Sequence, residues 1–144
     1  MNPEHEKYLS DHFPFLRPSG GLQKSLMYFG CENGDGWFEL IKQLCIDLVP
    51  VVHDDFRVVQ VKEKYGSLRF YPNSATDAAW KLIEEAENRS YTICEECGKP
   101  GRRNKLGWIK TLCKPCRGLR VMRGSRWFGK DHSLRLTRAN RDLQ

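Results

Sequence analysis

The sequence predicts an α+β fold. It divides into a helix and β-hairpin core over residues 1–92, a four-cysteine finger with a basic helix over 93–130, and a basic tail over 131–144. Three observations carry this. Cys94-Glu-Glu-Cys97 and Cys113-Lys-Pro-Cys116 lie fifteen residues apart. Apolar residues from Trp37 to Leu48 recur at three- and four-residue spacing, and a β-rich pair of segments follows them. Charge is uneven. Residues 1–93 hold ten Lys/Arg and fourteen Asp/Glu, residues 94–144 hold fourteen and four, and together they give the formal +6.

In chain order, residues 1–12 read as a short helix with Tyr8 and Leu9 as its apolar contacts. Pro14, Pro18 and Ser19-Gly20-Gly21 end it. Leu22–Phe29 is apolar-rich and reads as a strand. Asn33-Gly34-Asp35-Gly36 is turn chemistry, with Asp35 capping a helix to about Leu48. Trp37, Phe38, Leu40, Ile41, Leu44, Cys45 and Leu48 form its core face, and Pro50 stops it. Residues 56–62 and 68–71 make a hairpin reversed by Lys64-Tyr65-Gly66-Ser67. The alternating charges of Lys62, Glu63, Lys64 and Arg69 suit cross-strand pairing on an open face better than catalysis. Thr76 or Asp77 caps a helix to about Arg89, with Ala79, Trp80, Ile83 and Ala86 inward and Glu84, Glu85 and Glu87 mostly outward. Arg102–Gly107 is a second hairpin tip and 108–112 its returning strand. Cys113–Cys116 starts a helix, since proline is tolerated in a first helical turn. Knuckle, hairpin and helix-starting knuckle describe a treble clef. If the second knuckle opens a strand instead, the finger is a zinc ribbon.

Two Cys-x-x-Cys pairs supply the four thiolates of a tetrahedral zinc site, with Cys94, Cys97, Cys113 and Cys116 as ligands. Gly98 follows where a knuckle backbone often needs positive φ. Two disulfides would need an oxidising compartment, and a redox motif is not expected in duplicate. With all four positions filled by sulfur, the single ion is structural, and its removal is expected to unfold 94–116 and leave the core standing. Cys31 and Cys45 read as buried apolar side chains. The acidic N-terminus lacks the basic start and apolar stretch of a signal peptide. No run of eighteen apolar residues predicts a membrane span. The chain is read as cytosolic, with reduced thiols.

From Gly98 to Lys130 there are eleven basic residues and no acidic one. Arg117, Arg120 and Arg123 step by three along the predicted helix, and Arg102, Arg103, Lys105, Lys110 and Lys114 extend the patch over the hairpin. Such a surface suits the phosphates of DNA or RNA. Trp127 or Phe128, between Arg126 and Lys130, offers a ring for base stacking. Gly118 and Gly124 each cost about 1 kcal/mol relative to alanine in a helix interior and limit that helix. The tail reads equally as a strand at 134–138, as a helical row of Arg135, Arg138 and Arg141, or as a segment ordered on binding. Docking to an acidic protein surface is the alternative use of the charge. A nuclease or other metal enzyme is a further alternative, but His53-Asp54-Asp55 reads as a polar turn and His132 follows the cysteines. A zinc-stapled nuclease of the HNH type would place its histidine between or before the pairs. No phosphate loop, nucleophile elbow or His-Glu-x-x-His motif is present.

The string Val61-Lys-Glu-Lys-Tyr-Gly-Ser-Leu-Arg-Phe-Tyr71 is joined by Cys94-Glu-Glu-Cys-Gly-Lys-Pro-Gly101, Gly107-Trp108 and Thr111-Leu-Cys113. With Gly36-Trp-Phe-Glu-Leu-Ile-Lys-Gln-Leu-Cys45, these motifs resemble a family of small uncharacterised phage and prophage zinc-finger proteins. The resemblance covers residues 34–116. It implies a bacterial cytoplasm and a viral role and transfers no catalytic residue. The alternative function to nucleic-acid binding is a protein-binding modulator that grips a host enzyme, such as a polymerase or a defence component.

Overall fold

The computed structural model describes residues 1–125, with side chains to residue 119. Helix α1 (Pro3–His12) begins at Asn2, whose side chain accepts the His5 N–H at 2.8 Å, and Leu9 is its buried anchor. Strand β1 (Cys31–Glu32) lies parallel to β2 (Val58–Lys64), which pairs antiparallel with β3 (Ser67–Pro72), so the sheet order is β1-β2-β3. Helix α2 (Phe38–Leu48) buries Leu40, Ile41, Leu44, Cys45 and Leu48. It packs on α3 (Asp77–Ser90), which packs on β3. The hairpin reverses through Tyr65 and Gly66 at φ 53° and 80°, a two-residue turn whose twist matches that of the strands. Thr76, not Asp77, caps α3 by accepting the Ala79 N–H at 3.1 Å.

Five expectations are corrected. Leu22–Phe29 is not a strand. Gly20 and Gly21 take positive φ, the chain turns, and Met27–Phe29 forms a 3-10 turn. It pairs with the sheet only through the Leu26 N–H, which donates to the Val59 carbonyl at 2.7 Å, while Met27 packs into the core. Asp35 does not cap α2, which starts at Phe38 without a side-chain cap. Its carboxylate instead accepts the Asn2 N–H at 2.6 Å and meets His5 Nδ1 at 3.2 Å, which ties α1 to the start of α2. Trp80 is 46% exposed. Glu87 turns inward and accepts the Phe70 N–H at 3.0 Å, and burial raises its pKa above the usual carboxylate value. Lastly, β2 and β3 set Lys62 opposite Arg69, so the expected opposite-charge cross-strand pair does not form there. Glu63 pairs instead with Lys110 of the finger at 3.1 Å.

Cys31 and Cys45 are buried in the core, as the sequence implied. Burial, with the charge of Glu6, pushes the Cys31 thiol up to about 12, and burial raises Cys45 as well. Trp37 has no exposed surface, and its indole N–H donates to the Ile93 carbonyl at 2.9 Å. A buried Trp contributes about 3–5 kcal/mol against Ala, well above the roughly 1 kcal/mol of a single hydrogen bond. Packing therefore dominates here, and the bond sets which surface the ring faces: the approach to the first cysteine pair. Among the described residues, no helix is long and apolar enough to cross a membrane.

Candidate metal centre and its basic finger

Ile93 leads from α3 into the first knuckle, where the Cys94 N–H donates to the Lys99 carbonyl at 2.8 Å and the Gly98 N–H to the Cys94 carbonyl at 2.9 Å. The loop closes because Gly98 takes φ 81°, a conformation that side chains resist. Strands β4 (Arg102–Arg103) and β5 (Thr111–Leu112) pair antiparallel. The second knuckle opens a helix, α4 (Lys114–Ser125), with Pro115 in its first turn. These elements bring the sulfurs of Cys94, Cys97, Cys113 and Cys116 within 4.8 Å of one another, with Cys97 and Cys113 at 3.5 Å. Sulfurs at the corners of a tetrahedral site with ~2.3 Å bonds lie about 3.8 Å apart, so the quartet fits one metal ion.

The electrostatics point the same way, because four thiolates at this separation repel unless a cation lies among them. Burial opposes ionisation of Cys113. The Cys116 backbone N–H and the Cys116, Cys97 and Cys94 thiols outweigh it, and Cys113 comes down to about 7. Cys116 is pushed up by burial and then by those same neighbours. At Cys97 the Lys99 backbone hydrogen bond and the Cys116 thiol lower the pKa, but burial and the Cys113 and Cys94 thiols outweigh them and raise it. Ionisation is thus eased at Cys113 and opposed at Cys97 and Cys116. A divalent ion removes that conflict.

No family model matches the chain, and no curated protein or solved structure matches it.

The finger is bound to the core through its first knuckle and its returning strand. Glu95, 4% exposed at its side chain, accepts the Gly34 N–H at 3.0 Å on one carboxylate oxygen and Lys110 Nζ at 2.9 Å on the other. Its backbone N–H donates to the Thr111 carbonyl at 3.0 Å and its carbonyl accepts the Gly36 N–H at 2.7 Å. Lys110 Nζ also meets Glu63 at 3.1 Å, and Glu63 accepts the Gly66 N–H at 3.0 Å. The Thr111 hydroxyl donates to the Gly66 carbonyl at 2.6 Å. Nothing in the sequence marked Glu63 or Glu95 as partners of Lys110.

This corrects the predicted basic patch. Lys110 is 20% exposed at its side chain and held by two carboxylates, so it is not available to a phosphate. Burial alone would lower its pKa, but Glu95 and then Glu63 outweigh it and raise it above the ordinary lysine value. A raised folded pKa means the ion triad stabilises fully below the unfolded value and is lost as pH climbs through the folded one. We expect Lys110→Met to cost about 3 kcal/mol in chemical denaturation at pH 7, because it strands two largely buried carboxylates. The deficit against wild type should narrow above pH 10.5, as the wild-type lysine discharges.

Arg117 is likewise occupied. Its guanidinium donates to the Arg102 carbonyl and, at 3.2 Å, to the Leu112 carbonyl, stapling α4 to the finger hairpin. Arg102, Arg103, Lys105 and Lys114 are exposed, and Lys99 joins them. Arg120 and Arg123 lie on α4. Arg126, Trp127, Phe128, His132 and the tail fall outside the described residues. His53, Asp54 and Asp55 form an exposed turn, as expected.

The ring expected at Trp127 has a counterpart at the finger tip. Leu106 and Trp108 are 87% and 76% exposed there. Asn104 shapes this tip. Its amide donates to the Leu106 and Trp108 carbonyls at 2.7 and 3.0 Å, and its oxygen accepts the Lys110 N–H at 2.6 Å. The sequence signal was a tryptophan beside Gly107 within a hairpin, where no inward face is needed.

Proposed function

We propose that this is a non-enzymatic nucleic-acid-binding protein of phage origin, built on one structural zinc ion held by Cys94, Cys97, Cys113 and Cys116 in a treble-clef finger. The soft four-sulfur donor set favours zinc and leaves no open position for a reacting water. A first knuckle, a β-hairpin and a second knuckle opening α4 support the treble clef over a ribbon. The observation that carries the binding reading is the exposed set Lys99, Arg102, Arg103, Lys105 and Lys114 around the quartet. These lie in a stretch from Gly98 to Lys130 without one acid. Arg120 and Arg123 follow at helical spacing, as a phosphate-tracking face would require.

Binding should weaken steeply with salt, because each phosphate neutralised releases counterion. The triple change Arg102→Glu, Arg103→Glu and Lys105→Glu is expected to reduce affinity at least tenfold. It should also flatten the salt slope by roughly 0.9 for each duplex phosphate that is no longer neutralised. Fluorescence anisotropy with labelled DNA and RNA measures both. Wild-type protein that binds neither at about 50 mM salt removes the reading.

A modulator of a host polymerase or defence enzyme is the second reading. It is favoured by Tyr28 and Phe29, 50% and 63% exposed beside a groove of about 610 Å³. A discrete host protein retained on pull-down after nuclease treatment would be expected on that reading.

A further inference from the structure

Two hairpins end side by side. The core turn Tyr65-Gly66 packs against the finger, such that a Cβ on Gly66 would lie 3.2 Å from both Arg103 Cγ and Thr111 Oγ1. Between the two tips is a cleft of about 320 Å³ lined by Glu63, Tyr65, Gly107, Trp108 and Ile109. Its aromatic walls face solvent, with Tyr65 65% and Trp108 76% exposed. Tyr65 sits at φ 53°, where glycine or asparagine would be the unstrained choice in this turn. A large ring is thus held outward at a position that disfavours it.

The charges around the cleft are positive. Lys64 Nζ stands 5.8 Å from the Tyr65 ring centroid, and Arg103 and Lys105 are exposed on the adjoining hairpin. Among the residues lining the cleft Glu63 is the one acid, and its carboxylate is turned to Lys110 at 3.1 Å and to the Gly66 N–H at 3.0 Å. Cations beside exposed rings match a ligand with both phosphates and accessible π-faces. In a duplex the base faces are stacked away, and in a single strand they are open. The cleft's shape is also fixed in advance, since Asn104 holds the finger tip and Thr111 ties it to the core turn.

We infer that the nucleic acid taken by this protein is single-stranded, and that Tyr65 and Trp108 form a stacking platform for its unpaired bases. The inference rests on the nucleic-acid reading above and deepens it. The platform acts through base faces and the cations through the backbone, so the two should separate experimentally.

Anisotropy with a labelled single-stranded oligonucleotide of about twelve nucleotides, within the usual site size of such proteins, and a duplex of equal length tests it at about 50 mM salt. The wild type should prefer the single strand. Trp108→Ala should weaken single-strand binding about tenfold and duplex binding little, with an unaltered salt slope. Trp108→Phe should restore most of the loss, and Tyr65→Gly, which relaxes the turn, should still weaken binding. Equal affinity for both probes, or variants that bind the single strand as tightly as wild type, overturns the platform and leaves the nucleic-acid reading intact. A wild type that binds neither probe overturns both.

Discussion

Stripping the metal should destabilise the whole described fold, beyond the finger itself. Structural zinc contributes about 10–16 kcal/mol in small fingers, as much as or more than the 5–15 kcal/mol stability of a typical domain. If the finger were an appendage, its loss would leave the core standing, as the sequence alone suggests. The contacts argue otherwise. Gly34 and Gly36 donate to Glu95, the Trp37 indole donates to Ile93, and Thr111 donates to Gly66. Four hydrogen bonds at about 1 kcal/mol each are a large share of a domain's stability, and the Lys110 triad adds to them. Chelation should therefore abolish amide-exchange protection through 94–112 and also lower it at Gly34–Trp37 and around Gly66. Unchanged protection at those core positions would show that the finger and core are energetically separate.

The second large effect is expected from one methyl group. A Cβ on Gly36 would lie 2.0 Å from the Cys94 carbonyl oxygen and 2.6 Å from the Glu95 carbonyl carbon and oxygen. These are backbone atoms of the first knuckle, so no side chain can swing aside. To admit the methyl, the knuckle must move off the 3-10 turn Asp35–Trp37 that leads into α2, breaking the Gly36 N–H bond to Glu95 and drawing Cys94 away from its three partners. Overpacking alone costs about 1–3 kcal/mol, and a broken buried hydrogen bond adds about 1–3 more. Gly36→Ala should lose about 3–5 kcal/mol in denaturant titration and retain less metal. Gly107→Ala is the control. At φ 74° it is strained, but nothing lies within 4 Å of its Cβ, so about 1 kcal/mol is expected. Gly36→Ala within 1 kcal/mol of wild type would contradict the close approach seen here.

What could be read from the sequence follows from the range of the interactions involved. The cysteine quartet, the Tyr65-Gly66 reversal, the Thr76 cap and the buried face of α2 are written within a few residues of one another. Each has a local physical cause. Leu22–Phe29 misled because its apolar content satisfies strand propensity, while the two positive-φ glycines ahead of it set the turn. Glu87 and Trp80 exchanged expected faces because the α3 stripe is broad and Phe70, from β3, offers an N–H that only tertiary structure brings near. Lys110 was the most consequential miss. Its partners Glu63 and Glu95 come from other elements, so a run of positive charge could be counted but not divided into free and paired cations. The same distance hid the cleft, since Tyr65 and Trp108 meet only when the finger seats on the core turn.

The most direct test of the central claim is zinc-edge X-ray absorption on the purified, reduced protein, with metal quantified on the same sample. One zinc per chain with four sulfur neighbours at about 2.3 Å is predicted for Cys94, Cys97, Cys113 and Cys116. Less than stoichiometric metal, or a shell containing nitrogen or oxygen in place of any of the four sulfurs, would contradict it.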